Sequence, residues 1–268
     1  MPSTESTQKH TGCPIHFAAS SRNGWDSFIS TKTSSIQRLF VPVLASILLA
    51  LSSPTFGQAP STTRFTVVLD AAHGGDDTGG TLKDSNGVAT PEKTITLALS
   101  VRLRSLLAAR GVSVVTTRES DATVDDNRRA EIANRPGAQA CLSLHATQSG
   151  SGIHIFASSL PPAESSRITA WKTAQAAWVT RSLALAGDLN SALLHAGMTV
   201  TLGRTALTSI DSMACPAVAI EIAPEATTGS APPLSPSDSA YQTRFAQALA
   251  AAILEWRSNA ARTEALHP

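Results

Sequence analysis

The sequence has little charge and no excess of one sign. Charged residues make up 15% of the 268 residues, and the 21 basic and 20 acidic side chains leave a formal net charge of +1. A nucleic-acid-binding protein needs clustered Lys and Arg to neutralise phosphates, so nucleic acid is excluded as the expected partner. The apolar residues, at 42%, are nevertheless enough for a buried core, which excludes a disordered chain.

Cysteine is also scarce, with Cys13, Cys141 and Cys215 as the three examples. Their spacing excludes a zinc finger, which needs closely spaced cysteine pairs. If the chain is exported, Cys141 and Cys215 can form a disulfide. Two buried, unpaired thiols are an equal alternative, because free cysteine behaves as a small apolar residue.

Long apolar runs are absent. The run at 39–51 has about 13 residues, one of them Pro42, whereas a membrane-spanning helix needs roughly 20. It follows Lys32 and Arg38 and precedes small residues that end at Ala59, which is the pattern of a signal peptide cleaved after Ala59. We therefore expect an exported protein, periplasmic or extracellular. An uncleaved leader is the alternative, and it is the only membrane attachment that we expect.

Composition predicts five segments along the chain. Removing the first 59 residues leaves 17 basic and 18 acidic side chains, so the exported form stays close to neutral. For the polar residues 1–35, the alternative is that translation truly starts downstream of them. The segments are a polar lead at 1–35 that we expect to be disordered, a signal peptide at 36–59, a linker at 60–64, a catalytic domain at 65–259 and a C-terminal tail at 260–268.

Short β-branched runs alternate with helical stretches from residue 65 onward. The first two strands flank a helix that Thr90 is expected to cap, and such a βαβ crossover requires a parallel pair. The alternation predicts a single α/β domain with a mostly parallel mixed sheet flanked by helices on both faces. The expected strands are 65–69, 112–117, 140–144, 153–157, 198–202 and 215–222, the expected later helices are 125–134, 165–196 and 238–257, and 78–90 is expected to be a loop.

Four polar side chains lie where predicted elements begin or end. His73 follows the first strand, Glu92 opens the first helix, and His145 and Glu221 end later strands. Because the carboxyl ends of parallel strands share one edge of a sheet, we expect these side chains to converge. Catalytic zinc takes three protein ligands and leaves one position for water. We predict that His73, Glu92 and His145 bind Zn²⁺ and that Glu221 is the general base.

Simpler roles remain open for each of the four residues. The two histidines could be hydrogen-bonded core or loop residues, and Glu92 could simply favour the positive end of a helix dipole. Glu221 could form an ion pair with Arg118 or Arg128. The spacing of the proposed ligands does not decide between these roles, because no short metal motif such as HExxH is present.

Six motifs, taken together, indicate a protein family more specifically than any one of these residues does. They are VVLDAAHGG at 67–75, the pair Glu92 and Lys93 before a Leu-rich helix, GVSVVTTR at 111–118, Arg128 with IAN at 132–134, LSLHA at 142–146 and PAVAIE at 216–221. In this order, over residues 64–256, the chain resembles the zinc-dependent N-acetylmuramoyl-L-alanine amidases of the type 3 family.

The resemblance implies a fold, an activity and partners. That family has one α/β domain with a largely parallel sheet, and it cleaves the amide between the lactyl group of N-acetylmuramic acid and L-alanine in peptidoglycan. It also implies His73, Glu92 and His145 as zinc ligands and Glu221 as the catalytic carboxylate. Peptidoglycan is then the expected partner, in keeping with export. An activator protein is a further candidate partner, because some relatives carry an autoinhibitory helix, for which 171–196 is the candidate segment here.

Three segments depart from the family pattern. Ala71-Ala72 replaces Pro-Gly before the first histidine, Thr147-Gln148 replaces Asn-Ala after the second, and 223–227 replaces a Gly-Phe-x-Ser-Asn run. Within this last segment Glu225 is a rival for a role in the site. The substrate groove is therefore less certain than the metal ligands. The alternative functions are a non-catalytic peptidoglycan-binding or regulatory module, and a zinc peptidase that acts on another amide.

Overall fold

A computed structural model describes residues 64–163, 170–225 and 234–266. The predicted polar lead, the signal peptide and residues 60–63 of the linker lie outside this part of the chain. Among the described helices, none combines the length and the apolar character that crossing a bilayer requires.

The described residues form eight strands, five α-helices and one 3-10 helix. The strands are β1 (Thr66–Ala71), β2 (Thr81–Lys83), β3 (Ala89–Pro91), β4 (Ser113–Thr116), β5 (Ala140–Ala146), β6 (Ile153–Ser158), β7 (Val200–Thr205) and β8 (Ala217–Ile222). The helices are α1 (Glu92–Ala108), α2 (Asp126–Asn134), α3 (Val179–His195), α4 (Thr208–Asp211) and α5 (Ser239–Leu266), with the 3-10 helix at Trp171–Ala177.

Six of the strands form one mixed sheet in the order β4-β1-β5-β8-β6-β7. The first four of these run parallel to one another, β6 is antiparallel to β8, and β7 is parallel to β6. The parallel β1–β4 pair confirms the predicted βαβ unit, with α1 as its crossover helix. The carboxyl ends of β1, β5 and β8 therefore meet at one edge of the sheet.

Side chains alternate between the two faces of each strand, and each face has its own apolar cluster. Leu142 and Leu144 of β5 belong to the larger cluster, which α1, α3 and α5 cover. Cys141 belongs to the smaller cluster on the opposite face, which includes Ala133 of α2 and Ile210 of α4. The predicted fold, a mostly parallel mixed sheet with helices on both faces, is confirmed.

The hairpin of β2 and β3 corrects the predicted loop at 78–90. Its three-residue strands are too short to give a recognisable alternation, and a distant contact supports them, since the backbone N–H of Lys83 donates to Oε1 of Gln148 at 2.8 Å. Because Thr90 belongs to β3, it does not cap α1. The helix begins at Glu92 with Pro91 in the N-cap position and no side-chain cap.

The later helices also differ from their predicted bounds. The segment predicted as one helix at 165–196 contains the 3-10 helix and α3, and its residues 165–169 lie outside the described part. The four-residue α4 was not predicted. Helix α5 extends to Leu266 rather than ending near 257, so residues 260–266 continue it instead of forming a separate tail.

Cys141 and Cys215 form a disulfide. Their Cα atoms are 6.3 Å apart, and both residues are fully buried. The bond links β5 to the residues just before its neighbour β8, the two strands that carry His145 and Glu221. Of the two alternatives left open by the sequence, the structure therefore contains the paired one.

Candidate metal centre

His73, Glu92 and His145 come together at the carboxyl edge of the sheet. One ligand atom from each lies within 4.8 Å of the other two. Oε1 of Glu92 is 3.2 Å from Nε2 of His73 and 3.3 Å from Nδ1 of His145. Zinc bonds of roughly 2.0–2.2 Å in tetrahedral geometry would separate neighbouring ligand atoms by about 3.4 Å. The donor set and its spacing therefore fit one zinc ion.

The turn after β1 gives His73 an unusual backbone conformation. Its φ is +62°, in the left-handed region that non-glycine residues seldom adopt. Two buried arginines hold this turn by donating to its carbonyl oxygens. Arg129 binds the carbonyl of Ala71 at 2.8 Å and that of His73 at 2.8 Å, and Arg118 binds the carbonyls of Ala71 at 2.9 Å and Ala72 at 3.1 Å. These hydrogen bonds hold the backbone of the turn in its strained conformation.

Gly79 closes the loop over the centre. It has a φ of +61°, and a Cβ at this position would lie 2.6 Å from Cδ2 of His73 and 2.7 Å from Oε2 of Glu92. No side chain fits there without moving one of the two. The glycine therefore allows the backbone to approach both groups closely.

Asp77 fixes the orientation of His73. Its Oδ2 is 2.8 Å from Nδ1 of the imidazole, and its Oδ1 accepts from the backbone N–H of Gly79 at 3.1 Å. With Nδ1–H donated to this carboxylate, Nε2 of His73 is directed toward Glu92. A carboxylate behind a histidine is the usual way in which proteins fix the tautomer of a metal ligand.

His145 is oriented through a hydroxyl rather than by a direct carboxylate. Its Nε2 is 3.3 Å from Oγ of Ser143, which donates to Oδ2 of buried Asp70 at 2.7 Å. The other oxygen of Asp70 accepts from Arg129 at 2.6 Å and from Thr117 at 2.7 Å. This network leaves Nδ1 of His145 facing Glu92, so the two imidazoles present different nitrogens to the centre.

Glu92 is buried and ionised. Burial alone would raise its pKa, but hydrogen bonds from His145, His73 and two backbone N–H groups outweigh that effect and hold the pKa far below its usual range. The backbone donors are Gly80 at 2.9 Å, to Oε2, and Ala146 at 3.0 Å, to Oε1. Glu92 is therefore more than a favourable charge at a helix start, because it is the anionic centre of the cluster.

The pKa of His73 is raised from 6.5 to about 9. The hydrogen bond to Glu92 is the largest cause, and the hydrogen bond to Asp77 adds to it, while burial acts in the opposite direction. Without metal, this imidazole holds its proton at neutral pH. A metal cation at the same position would replace that proton and would be stabilised by the same negative charge of Glu92.

Glu221 lies next to the three converging residues. It is directly paired with His145 in β5–β8, so both side chains lie on the same face of the sheet. It is half-buried, and within the described part of the chain it has no hydrogen bond or ion pair. An ion pair with Arg118 or Arg128 is not formed, because Arg128 binds Glu131 and Arg118 binds backbone carbonyl oxygens.

Two residues in the segments that depart from the family pattern, Glu225 and Gln148, have partners in other elements of the fold. Glu225 is buried in an ion pair with Arg244 at 2.9 Å, so its partner lies on α5 and not in the centre. Gln148 accepts from the hairpin. The described part of the 171–196 segment does not cover the centre, because α3 packs against β6, β7, β8 and α5, and the 3-10 helix packs against α4.

Sequence reasoning found the converging residues and missed the residues that orient them. Asp77 lies four residues after His73, and Ser143 lies two residues before His145 on one face of the same strand. A search for carboxylates and hydroxyls at those short distances from each histidine would have found both. The role of Arg129 had no local signal, since Asp70 and His73, which it contacts, are 59 and 56 residues away in the chain.

The sequence profile of the family described as N-acetylmuramoyl-L-alanine amidase matches residues 67–255. The chain belongs to this amidase family. A sporulation-specific N-acetylmuramoyl-L-alanine amidase of Bacillus subtilis is 40% identical over 86 residues, which are 31% of this chain and 32% of the relative. The match to this amidase thus spans about a third of its length.

Solved amidase structures share the fold. The catalytic domain of CwlV from Bacillus (Paenibacillus) polymyxa has a TM-score of 0.54 at 25% identity, covering 72% of this chain and 98% of that one. The CwlD amidase of Clostridioides difficile, solved in complex with the GerS lipoprotein, has a TM-score of 0.54 at 20% identity over 72% of this chain and 98% of that one. Because CwlD is only 20% identical to this chain, its similarity supports a shared fold and nothing more.

Proposed function

We propose that this protein is a zinc-dependent amidase that hydrolyses the bond between N-acetylmuramic acid and L-alanine in peptidoglycan. The observation that carries the proposal is the carboxylate of Glu221, which lies directly beside the His73, Glu92 and His145 cluster and binds none of the described residues. An ionisable group without a partner next to a metal-binding cluster is a strong candidate for acid–base chemistry. Membership of the amidase family supplies the substrate class.

His73 and His145 would bind zinc through Nε2 and Nδ1, and Glu92 through its carboxylate. A bound zinc ion supplies Lewis acidity that polarises a carbonyl group and lowers the pKa of water. Asp77 and the Ser143–Asp70 pair keep the ligand nitrogens aligned, so the imidazoles do not reorganise when metal enters.

Glu221 is the general base and then the general acid. Its carboxylate takes a proton from the attacking water and delivers that proton to the nitrogen of the leaving L-alanine. Overall, water adds across the amide bond, which breaks to give the lactyl carboxylate and the free amine. This role needs a carboxylate that no ion pair already holds, and that requirement agrees with the surroundings of Glu221.

We further propose that the protein works outside the cytoplasm, in the periplasm or the extracellular space, during cell-wall remodelling or cell separation. The disulfide between Cys141 and Cys215 supports this location, because such bonds persist in oxidising compartments. Peptidoglycan is the substrate partner. An activator protein is a further proposed partner.

Digestion of purified peptidoglycan by the full chain tests the proposal. We expect free stem peptides that begin at L-alanine, identified by mass spectrometry, with release abolished by a chelator and restored by zinc. Undigested material together with tight zinc binding would instead favour a binding module or an enzyme that needs its activator. Cleavage at another amide would favour the peptidase alternative.

A further inference from the structure

A row of polar side chains continues beyond Glu221, away from the metal centre. His154 of β6 is paired with Glu221 in the antiparallel β6–β8 ladder, and Thr201 of β7 is paired with His154. Directly paired residues project from the same face of a sheet. His145, Glu221, His154 and Thr201 therefore follow one another across four adjacent strands, on the face that carries the site.

The imidazole of His154 has a hydrogen-bond partner at one nitrogen and, within the described part of the chain, none at the other. Nδ1 is 2.6 Å from Oγ1 of Thr201. If the threonine hydroxyl donates to Nδ1, then Nε2 carries the proton and can donate, and among the described residues Nε2 has no hydrogen-bond partner. Gly150 keeps this nitrogen uncovered, because a Cβ there would lie 3.3 Å from Nε2.

The proposed chemistry determines which part of the substrate lies near His154. Glu221 must reach the leaving nitrogen to protonate it, so the leaving peptide extends to the Glu221 side of the metal. His154 is one strand further in that direction, about 10 Å from His145 at about 4.8 Å per strand. An extended peptide covers that distance in about three residues, at roughly 3.3 Å per residue. His154 therefore faces the first residues of the stem peptide.

Stem peptides carry free carboxylates, and the other basic groups near the centre are already engaged. Arg118 and Arg129 are buried and bind carbonyl oxygens, and Lys93 forms an ion pair with Asp121 at 2.7 Å. Unlike these three side chains, His154 has a side-chain nitrogen that no described residue uses.

We propose that His154 is a specificity-determining residue that donates from Nε2 to a carboxylate of the leaving stem peptide. The inference rests on the proposed amidase function, since the direction of the leaving group follows from the role of Glu221. It also gives this chain a means of recognising substrate in a groove whose flanking segments, 147–148 and 223–227, differ from the family pattern.

The test compares two synthetic substrates, cleaved by the zinc-loaded full chain. One is an N-acetylmuramoyl peptide whose second residue carries a free carboxylate, and the other has that carboxylate converted to an amide. His154→Asn keeps an acceptor for the Thr201 hydroxyl but loses the Nε2 donor. We expect its kcat/KM for the free carboxylate to fall about tenfold, mainly through KM, because a hydrogen bond to a charged group is lost. Cleavage of the amide substrate should be nearly unchanged.

His195→Asn is the matched control, because His195 is an exposed histidine at the end of α3, and both kcat/KM values should remain those of the wild type. Thr201→Val should reproduce part of the loss by releasing the imidazole, and it avoids any folding defect of the His154 variant. Equal losses on both substrates, or no loss on either, would overturn the inference while leaving the amidase function intact. A wild-type chain that releases stem peptides from peptidoglycan but cleaves neither synthetic substrate would overturn the inference alone, and release from none of these materials would count against both.

Discussion

Glu221 and His145 lie side by side on the parallel strands β8 and β5, one as a carboxylate that binds no other described residue and the other as a member of the candidate metal cluster. Strand register produces this arrangement, since paired residues project from the same face. The register also gives the two proposed functions, metal binding and proton transfer, to different residues. We therefore expect that each can be altered without the other.

Glu221→Gln should remove catalysis and leave zinc binding intact. The amide has the shape of the carboxylate but cannot take a proton, so the rate should fall on the order of 100- to 10,000-fold. Zinc content measured on the same sample should equal that of the wild type. Glu225→Gln is the matched control, because that carboxylate pairs with Arg244 away from the centre, and it should retain the rate. An active Glu221→Gln enzyme would contradict the mechanism.

Asp77→Asn should weaken zinc binding by about 10- to 100-fold, because the carboxylate that orients His73 is lost. Competition with a chromophoric chelator measures this affinity directly. Asp76→Asn changes the neighbouring exposed carboxylate, which does not contact His73, and its zinc affinity should match the wild type. Equal affinities for the two variants would show that Asp77 does not orient the ligand.

Gly79→Ala should disrupt the metal centre by steric contact. Its Cβ would lie 2.6 Å from the His73 ring, whereas a Cβ on Gly87 would have nothing within 4 Å. Both glycines have positive φ, so both alanine variants should lose about 1–2 kcal/mol from backbone strain. Only Gly79→Ala should also lose zinc affinity. The decisive comparison is zinc titration of the two variants, and the prediction fails if they bind equally.

The metal-free protein should lose stability as the pH rises from about 6.5 to about 9. The pKa of His73 is raised in the folded state to about 9, chiefly by Glu92. Its contribution is therefore fully present below pH 6.5 and is lost as the pH rises through 9. Urea unfolding in the presence of a chelator, at several pH values, measures this slope. His73→Gln should flatten it, and an unchanged slope in that variant would assign the effect to another group.

Removing the disulfide should destabilise the protein by about 2–5 kcal/mol. Changing Cys141 and Cys215 together to Ser leaves no unpaired thiol at either position and frees β5 from the residues before β8. Thermal unfolding measures the loss, and reduction of the wild type should lower its stability in the same direction. A thiol assay that finds both cysteines free in protein purified from an oxidising compartment would contradict the pairing.

The sequence predicted the sheet and the converging residues because both depend on local patterns. Apolar runs ending in His73, His145 and Glu221 specify strand ends, and the parallel crossover then brings those ends to one edge. The hairpin of β2 and β3 was not predictable in this way, since its strands are short and a distant residue, Gln148, supports it.

The orienting groups could not be derived from periodicity either. Arg129 reaches Asp70 and His73 across more than fifty residues of chain, and only the packing of α2 against the sheet brings it there. Local patterns also could not decide whether the two cysteines are paired or free. Cys141 and Cys215 are 74 residues apart, and the adjacency of β5 and β8 decides their pairing.

Anomalous diffraction at the zinc absorption edge, from crystals grown with zinc, tests the central claim most directly. We predict one peak within bonding distance of Nε2 of His73, Nδ1 of His145 and the carboxylate of Glu92, with Glu221 beside it and not bound to it. A peak held by other residues, or none at this cluster under saturating zinc, would contradict the account.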